Sequence, residues 1–184
     1  MDLSERLRRA GGSAEELGSV LYDRSEEVLL ALLDNPRLTE EHLKVLLSRK
    51  NLGQTFLREL GARARLLRPY AVKLAFVRHA HAPRSIALAL LRHLYLFDLV
   101  RVAATPAAPA ERRRVAEEAV VGRLDALSPG ERLSLARQGT SRIAAALLGD
   151  TEHRVFRAAL ENPRLTEEGV VRILKAEKLT PEVV

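Results

Sequence analysis

The chain has 184 residues, 47% of them apolar, and 30 Lys and Arg against 24 Asp and Glu give a net charge of +6 at pH 7. That length and apolar content suit one domain with a continuous core, two small domains being the alternative. Cysteine is absent, which excludes disulfides, thiol nucleophiles and cysteine-ligated zinc or iron–sulfur centres and fits an expected cytoplasmic location.

The first residues, Met1-Asp2-Leu3-Ser4-Glu5-Arg6, are polar and lack the apolar run of a signal peptide. A short helix is predicted near 3–10, ending at Gly11-Gly12. Ser13 caps the next, which reaches about Tyr22, with Glu16 in the capping-box position. Residues 24–49 read as helix, corner, helix. Pro36 cannot continue a helix and pushes Asn35 out of the α region, so the first helix stops near Asp34. Thr39 caps the second, Glu40 and Glu41 lie at its positive dipole end, and Leu38 and Leu43 have the spacing of a hydrophobic staple. His42 stands where a capping box wants Glu or Gln, so this cap is expected to lack the box.

A further helix from Gly53 to about Leu60 is predicted to close at Gly61, and another spans 69–80 from Pro69. Val77-Arg78-His79-Ala80-His81-Ala82-Pro83 reads as a degenerate corner, and so does Thr105-Pro106-Ala107-Ala108-Pro109-Ala110-Glu111. A long helix follows over about 110–126. Ser128-Pro129-Gly130-Glu131 caps the next, and Thr140 opens one to about Leu148.

Asn35-Pro36-Arg37-Leu38-Thr39-Glu40-Glu41 then returns letter for letter as Asn162-Pro163-Arg164-Leu165-Thr166-Glu167-Glu168, 127 residues later. Residues 23–53 and 150–180 share 13 identities in 31 ungapped positions, too concentrated at the corner for chance. Leu43, Leu46 and Leu47 match Val170, Ile173 and Leu174 at i, i+3, i+4, one buried stripe on a polar helix. Thr180-Pro181-Glu182 looks like the start of one more helix, so an uncapped C-terminal edge that pairs with another subunit is expected. The most apolar stretch, Ile86–Val100, is broken by Arg92, His93 and Asp98 and too short for a bilayer, so no membrane association is expected.

A repeated helix–corner–helix unit predicts an all-α fold, an α-solenoid of stacked helix pairs forming one repeat domain over 1–184. On its corners the chain resembles the HEAT-like α-solenoid families, most closely the leucine-rich repeat variant family, whose units read roughly Val-Arg, Ala, Asn-Pro and then an apolar helix. The matching residues are Arg154-Val155, Ala159 and Asn162-Pro163, and Val77-Arg78 with Ala82-Pro83. The resemblance implies a two-layer superhelix used for binding. One member of that family carries an iron–sulfur cluster on cysteines ahead of its repeats, a feature this cysteine-free chain cannot share.

Charge is the most informative functional signal. Residues 61–100 carry seven cations, Arg63, Arg65, Arg68, Lys73, Arg78, Arg84 and Arg92, against one acid, Asp98; the flanking parts are near balance. Clustered arginines among aromatics suit phosphate, which a guanidinium grips bidentately. The competing expectation is ordinary solvated arginines, with Phe76, Tyr95 and Phe97 in the core and Asp98 paired with Arg101 or Arg92. His79-x-His81 with His93 is a ligand set by type, yet positions i and i+2 point apart on a helix, so no metal site is expected. Adjacent acids such as Glu40-Glu41 and Glu117-Glu118 are explained by helix starts. No phosphate loop, serine-nucleophile or metalloprotease signature occurs, so neither enzymatic activity nor a cofactor is expected. The expected function is a scaffold for a protein partner. The alternatives are nucleic acid on the 61–100 region, or a small anion in a pocket of the same arginines.

Overall fold

Caps decide where the helices of this chain begin, and the computed structural model, which describes residues 2–175, shows helices and turns with no strand among them. The chain divides into two compact units, Met1–Leu94 and Tyr95–Val184.

The first unit holds α1 (Leu3–Ala10), α2 (Ala14–Val20), α3 (Glu26–Asp34), α4 (Glu40–Ser48), α5 (Gln54–Ala62), α6 (Tyr70–Arg78) and α7 (Arg84–Leu91). Helices of 7 to 9 residues are too short to persist alone, so packing holds them. Three of these helices chiefly meet the second one after them, α1 packing on α3, α3 on α5 and α4 on α6, while α2 packs on α1 and α6 also on α7. Leu17, Val28, Leu32, Leu33, Leu46 and Phe56 are fully or almost fully buried there. Each such side chain contributes about 1.5–3 kcal/mol.

The second unit holds α8 (Leu96–Ala104), α9 (Ala110–Val121), α10 (Pro129–Gln138), α11 (Ser141–Ala146), α12 (His153–Leu160) and α13 (Glu167–Lys175). Two 3-10 turns, Leu124–Ala126 and Leu147–Gly149, break what the sequence suggested as longer helices. Here α8 packs on α9, α9 on α11, α10 on α12 and α11 on α13. Gly139 is required at the α10–α11 corner. A Cβ there would lie 2.6 Å from the Leu135 carbonyl oxygen and 2.7 Å from Ile143 Cγ2.

Three expectations are corrected. Thr39 does have a capping box: its Oγ1 accepts from the His42 N–H, and His42 Nδ1 accepts from the Thr39 N–H, both at 3.3 Å. An imidazole nitrogen with its lone pair free serves as well as a carboxylate. Gly61 does not close α5 but lies inside it, where a Cβ would meet Ile86 Cδ1 at 2.5 Å. Tyr95 and Phe97 are not core; they are 68% and 43% exposed, because α8 buries Leu99, Val100, Val102 and Ala103 instead. Phe76 is fully buried and Asp98 pairs with Arg101 at 3.4 Å, as expected. The segment from Thr180 lies outside the described residues.

The internal duplication is longer than the sequence identities. Arg6 pairs with Asp23 at 2.9 Å and Arg132 with Asp150 at 2.7 Å. Each aspartate also accepts the amide two residues on, from Ser25 and Glu152. Helices α1 to α4 therefore correspond to α10 to α13. One extra residue before Gly139, relative to Gly12, hides the first helix of each copy from an ungapped comparison.

Candidate functional site

The corners are built on a polar side chain buried at the helix end. Asn35 Nδ2 donates to the carbonyl oxygens of Ala10, at 2.9 Å, and Gly12, at 3.1 Å, while its Oδ1 accepts from the Arg37 N–H at 2.8 Å. Asn162 repeats all three bonds with Ala136, Gly139 and Arg164. Each side chain thus fixes its own turn and satisfies carbonyls left open at the corner within the helix pair before it.

His79 takes the asparagine's place in the first degenerate corner. Its Nδ1 accepts from the His81 N–H at 3.2 Å, so the ring is the Nε2–H tautomer and Nε2 donates to the Arg49 carbonyl oxygen at 2.8 Å. The register is then His79 with Asn35 and Pro83 with Thr39, rather than Pro83 with the Asn-Pro proline. Thr105, in the other degenerate corner, turns its hydroxyl back to the Arg101 carbonyl oxygen of its own helix, at 2.6 Å.

Arginines perform the same closure from the surface. Arg49 donates to the carbonyl oxygens of Leu21, at 2.6 Å, and Asp23, at 2.8 Å; Arg164 donates to Gln138 at 2.6 Å. A cation suits the Leu21 and Gln138 carbonyls, which lie at the negative end of a helix dipole.

Two of the seven candidate cations belong to this system. Arg63 bridges Glu59 at 2.8 Å and Asp34 at 2.9 Å, and Glu59 first, then Asp34, raise its pKa further. Arg65 donates to the Leu33 carbonyl oxygen at 2.6 Å, joining the end of α5 to the end of α3. Arg68, Lys73 and Arg78 make no side-chain hydrogen bond or ion pair among the described residues. Lys73 and Arg78, five residues apart on α6, diverge by about 140° around the helix. Arg84 opens α7, and Arg92 closes it, with Nε donating to the Ala89 carbonyl oxygen at 3.1 Å. The seven thus spread over α6, α7 and the segments that flank them.

No group of three or more His, Cys, Asp or Glu is placed to hold a metal among the described residues. A cavity of about 270 Å³ opens beside Leu124, Arg132, Leu147 and Asp150, and the Arg132–Asp150 pair occupies its polar wall. Sequence reading passed over Arg112 of α9, which is only 3% exposed and whose pKa burial lowers. Its neighbours Arg113 and Arg114 gave it the look of an ordinary solvated run. No helix among the described residues is long and apolar enough to cross a membrane.

Comparison of the chain with protein-family models, curated protein sequences and solved structures finds no match.

Proposed function

We propose that the chain is a non-enzymatic scaffold of the HEAT-like α-solenoid class, near the leucine-rich repeat variant family, that binds a protein partner. The observation that carries this reading is the pattern of packing within each unit. Helix packs on second-next helix through α1, α3 and α5 and through α4 and α6, and again from α10 to α12 and α11 to α13. That is how stacked helix pairs bury a continuous core while presenting extended surfaces. Arg63 and Arg65 support it from the other side, since cations that looked available for phosphate close helix ends instead.

The second reading, nucleic acid or a small anion on the 61–100 region, keeps Arg68, Lys73 and Arg78 as its uncommitted cations. Anisotropy of labelled duplex and single-stranded DNA across a salt series separates the two. The scaffold reading predicts no binding at low salt. Micromolar binding whose log affinity falls steeply with log salt, with a slope flattened by about one unit per lost phosphate contact in R68A, K73A and R78A, would overturn it.

A further inference from the structure

We infer that the cavity in the second unit binds a small zwitterion, an α-amino acid with an aliphatic side chain, its ammonium group on Asp125 and its carboxylate on Arg132 and Thr151. This site goes beyond the scaffold reading and does not depend on it.

The cavity lies between the turn Leu124–Ala126, α10 and the turn Leu147–Gly149, and its lining is wholly among the described residues. Its volume, about 270 Å³, falls just below the roughly 300–1,000 Å³ of sites for drug-sized ligands, so its occupant is small. Leu124, Ala146 and Leu147 give it an apolar side against which a short aliphatic group packs.

Arg132 makes the polar side. Its Nε donates to Asp150 Oδ2 at 2.7 Å, and its Nη1 donates to the Leu127 carbonyl oxygen at 2.8 Å. Two bonds to fixed groups hold the guanidinium in place before any ligand arrives. Its Nη2 has no protein partner and is not closed off from solvent. Open N–H groups of a guanidinium beside a cavity suit a carboxylate.

The remaining charges decide what else the ligand carries. Asp150, with its side chain 6% exposed, is fully engaged: it accepts from Arg132 and from the Glu152 N–H, and its charge offsets that of Arg132. Asp125 and Thr151 also line the cavity and make no side-chain hydrogen bond or ion pair among the described residues. The uncompensated charge of the wall is therefore that of Asp125. A ligand with a carboxylate alone leaves it unanswered, whereas an ammonium group pairs with it. The Thr151 hydroxyl adds a donor for the carboxylate.

The first copy keeps the same ion pair in different surroundings. Arg6 meets Asp23 through Nη1 alone, at 2.9 and 3.1 Å, and its Nε is buried without a partner. Tyr22 and Arg24 flank that aspartate where Gly149 and Thr151 flank Asp150. The ion pair tolerates large neighbours; the small ones in the second copy line the cavity.

Isothermal titration calorimetry of the full chain tests the site with L-alanine, L-valine and L-leucine. Isovalerate and isobutylamine, which are valine without its amino group and without its carboxylate, are the controls. Saturable one-to-one binding of at least one amino acid is expected, with Kd about 1 mM or tighter, and both controls at least about tenfold weaker. D125N, which removes the carboxylate, and A146L, which fills the apolar side, should each weaken binding at least about tenfold. Asp125 is exposed, so D125N should keep the wild-type circular dichroism and remains decisive even where A146L disturbs the fold. Absence of binding by all three amino acids, or binding that D125N leaves unchanged, overturns the proposal. So does either control binding as tightly as valine, which would make this a site for a single charge. None of these outcomes alters the DNA titration, so failure here is distinct from failure of the scaffold reading.

Discussion

Asn162 Nδ2 lies 2.7 Å from the Ala136 carbonyl oxygen, and Asn35 makes the same bond to Ala10 at 2.9 Å. Both asparagines are buried, so each bond is formed away from water. Removing either side chain leaves a turn amide and two helix-end carbonyls to be satisfied otherwise. N162A and N35A should each cost about 2–3 kcal/mol, by the cost of unmade buried hydrogen bonds. Urea unfolding followed by circular dichroism measures it; a loss below about 0.5 kcal/mol, the range of surface substitutions, would show that the clamp is incidental.

His79 holds two of the same bonds through a longer ring. Asparagine there keeps the acceptor at the same reach but brings its donor one bond short of Arg49. H79N should therefore cost less than H79A, and H79A about 2 kcal/mol. Equal losses in the two variants would mean that the ring acts by packing alone.

The arginines divide by role. R63A and R65A each remove bonds between the ends of α5 and α3 and should lower stability by about 1 kcal/mol. R68A and R78A should fall within about 0.5 kcal/mol of wild type, as surface substitutions do. The unfolding midpoints of the four variants check this division, which an unchanged R65A would contradict.

A Cβ at Gly139 collides with backbone, which cannot swing aside as a side-chain tip does. G139A should cost about 1–3 kcal/mol by overpacking. Gly130, with open space around its would-be Cβ, is the control. G130A should be neutral or slightly stabilising, since alanine is the better helix former.

Glu5 accepts from Arg8 and Arg9, and these bonds lower its pKa from 4.5 to about 2. A depressed carboxylate stabilises the fold above its unfolded value and loses that contribution as pH falls from 4.5 toward about 2. The pair is exposed, so salt should shrink the effect. The acid limb of the unfolding curve should flatten in E5Q; a limb identical to wild type at low salt would contradict the assignment.

Helix positions were legible because proline, Thr, Ser and Gly mark them locally: Pro36 ended α3 and Ser128 began α10 with its box. The bonds between repeats were not legible, for a physical reason. Whether Arg65 meets phosphate or the Leu33 carbonyl depends on packing 32 residues away, and the residue type is the same in either case. His42 was misjudged by a rule stated for carboxylates alone. The second copy makes the point again. Gly169 has no side chain to return a bond to Thr166, and Ser141 does it from the neighbouring corner, accepting from the Thr166 N–H at 3.1 Å. Ala14 occupies Ser141's place in the first copy, where His42 supplies the bond. Each copy has one acceptor for that amide, in different places: His42 lies in the same helix as the cap, whereas Ser141 comes from the neighbouring corner and is not visible without the stack.

The proposed scaffold reading rests on the two copies being stacked alike, and engineered cysteine pairs in this cysteine-free chain test that most directly. Ser141 Oγ lies 2.9 Å from Thr166 Oγ1, so S141C/T166C should form a disulfide under mild oxidation with helicity unchanged. The equivalent pair A14C/T39C should form one too, read by mass after alkylation. Ready bridging in both is the predicted result. A bridge in S141C/T166C with A14C/T39C remaining as free thiols would contradict the equivalence of the copies, and with it the proposed stacking of repeats.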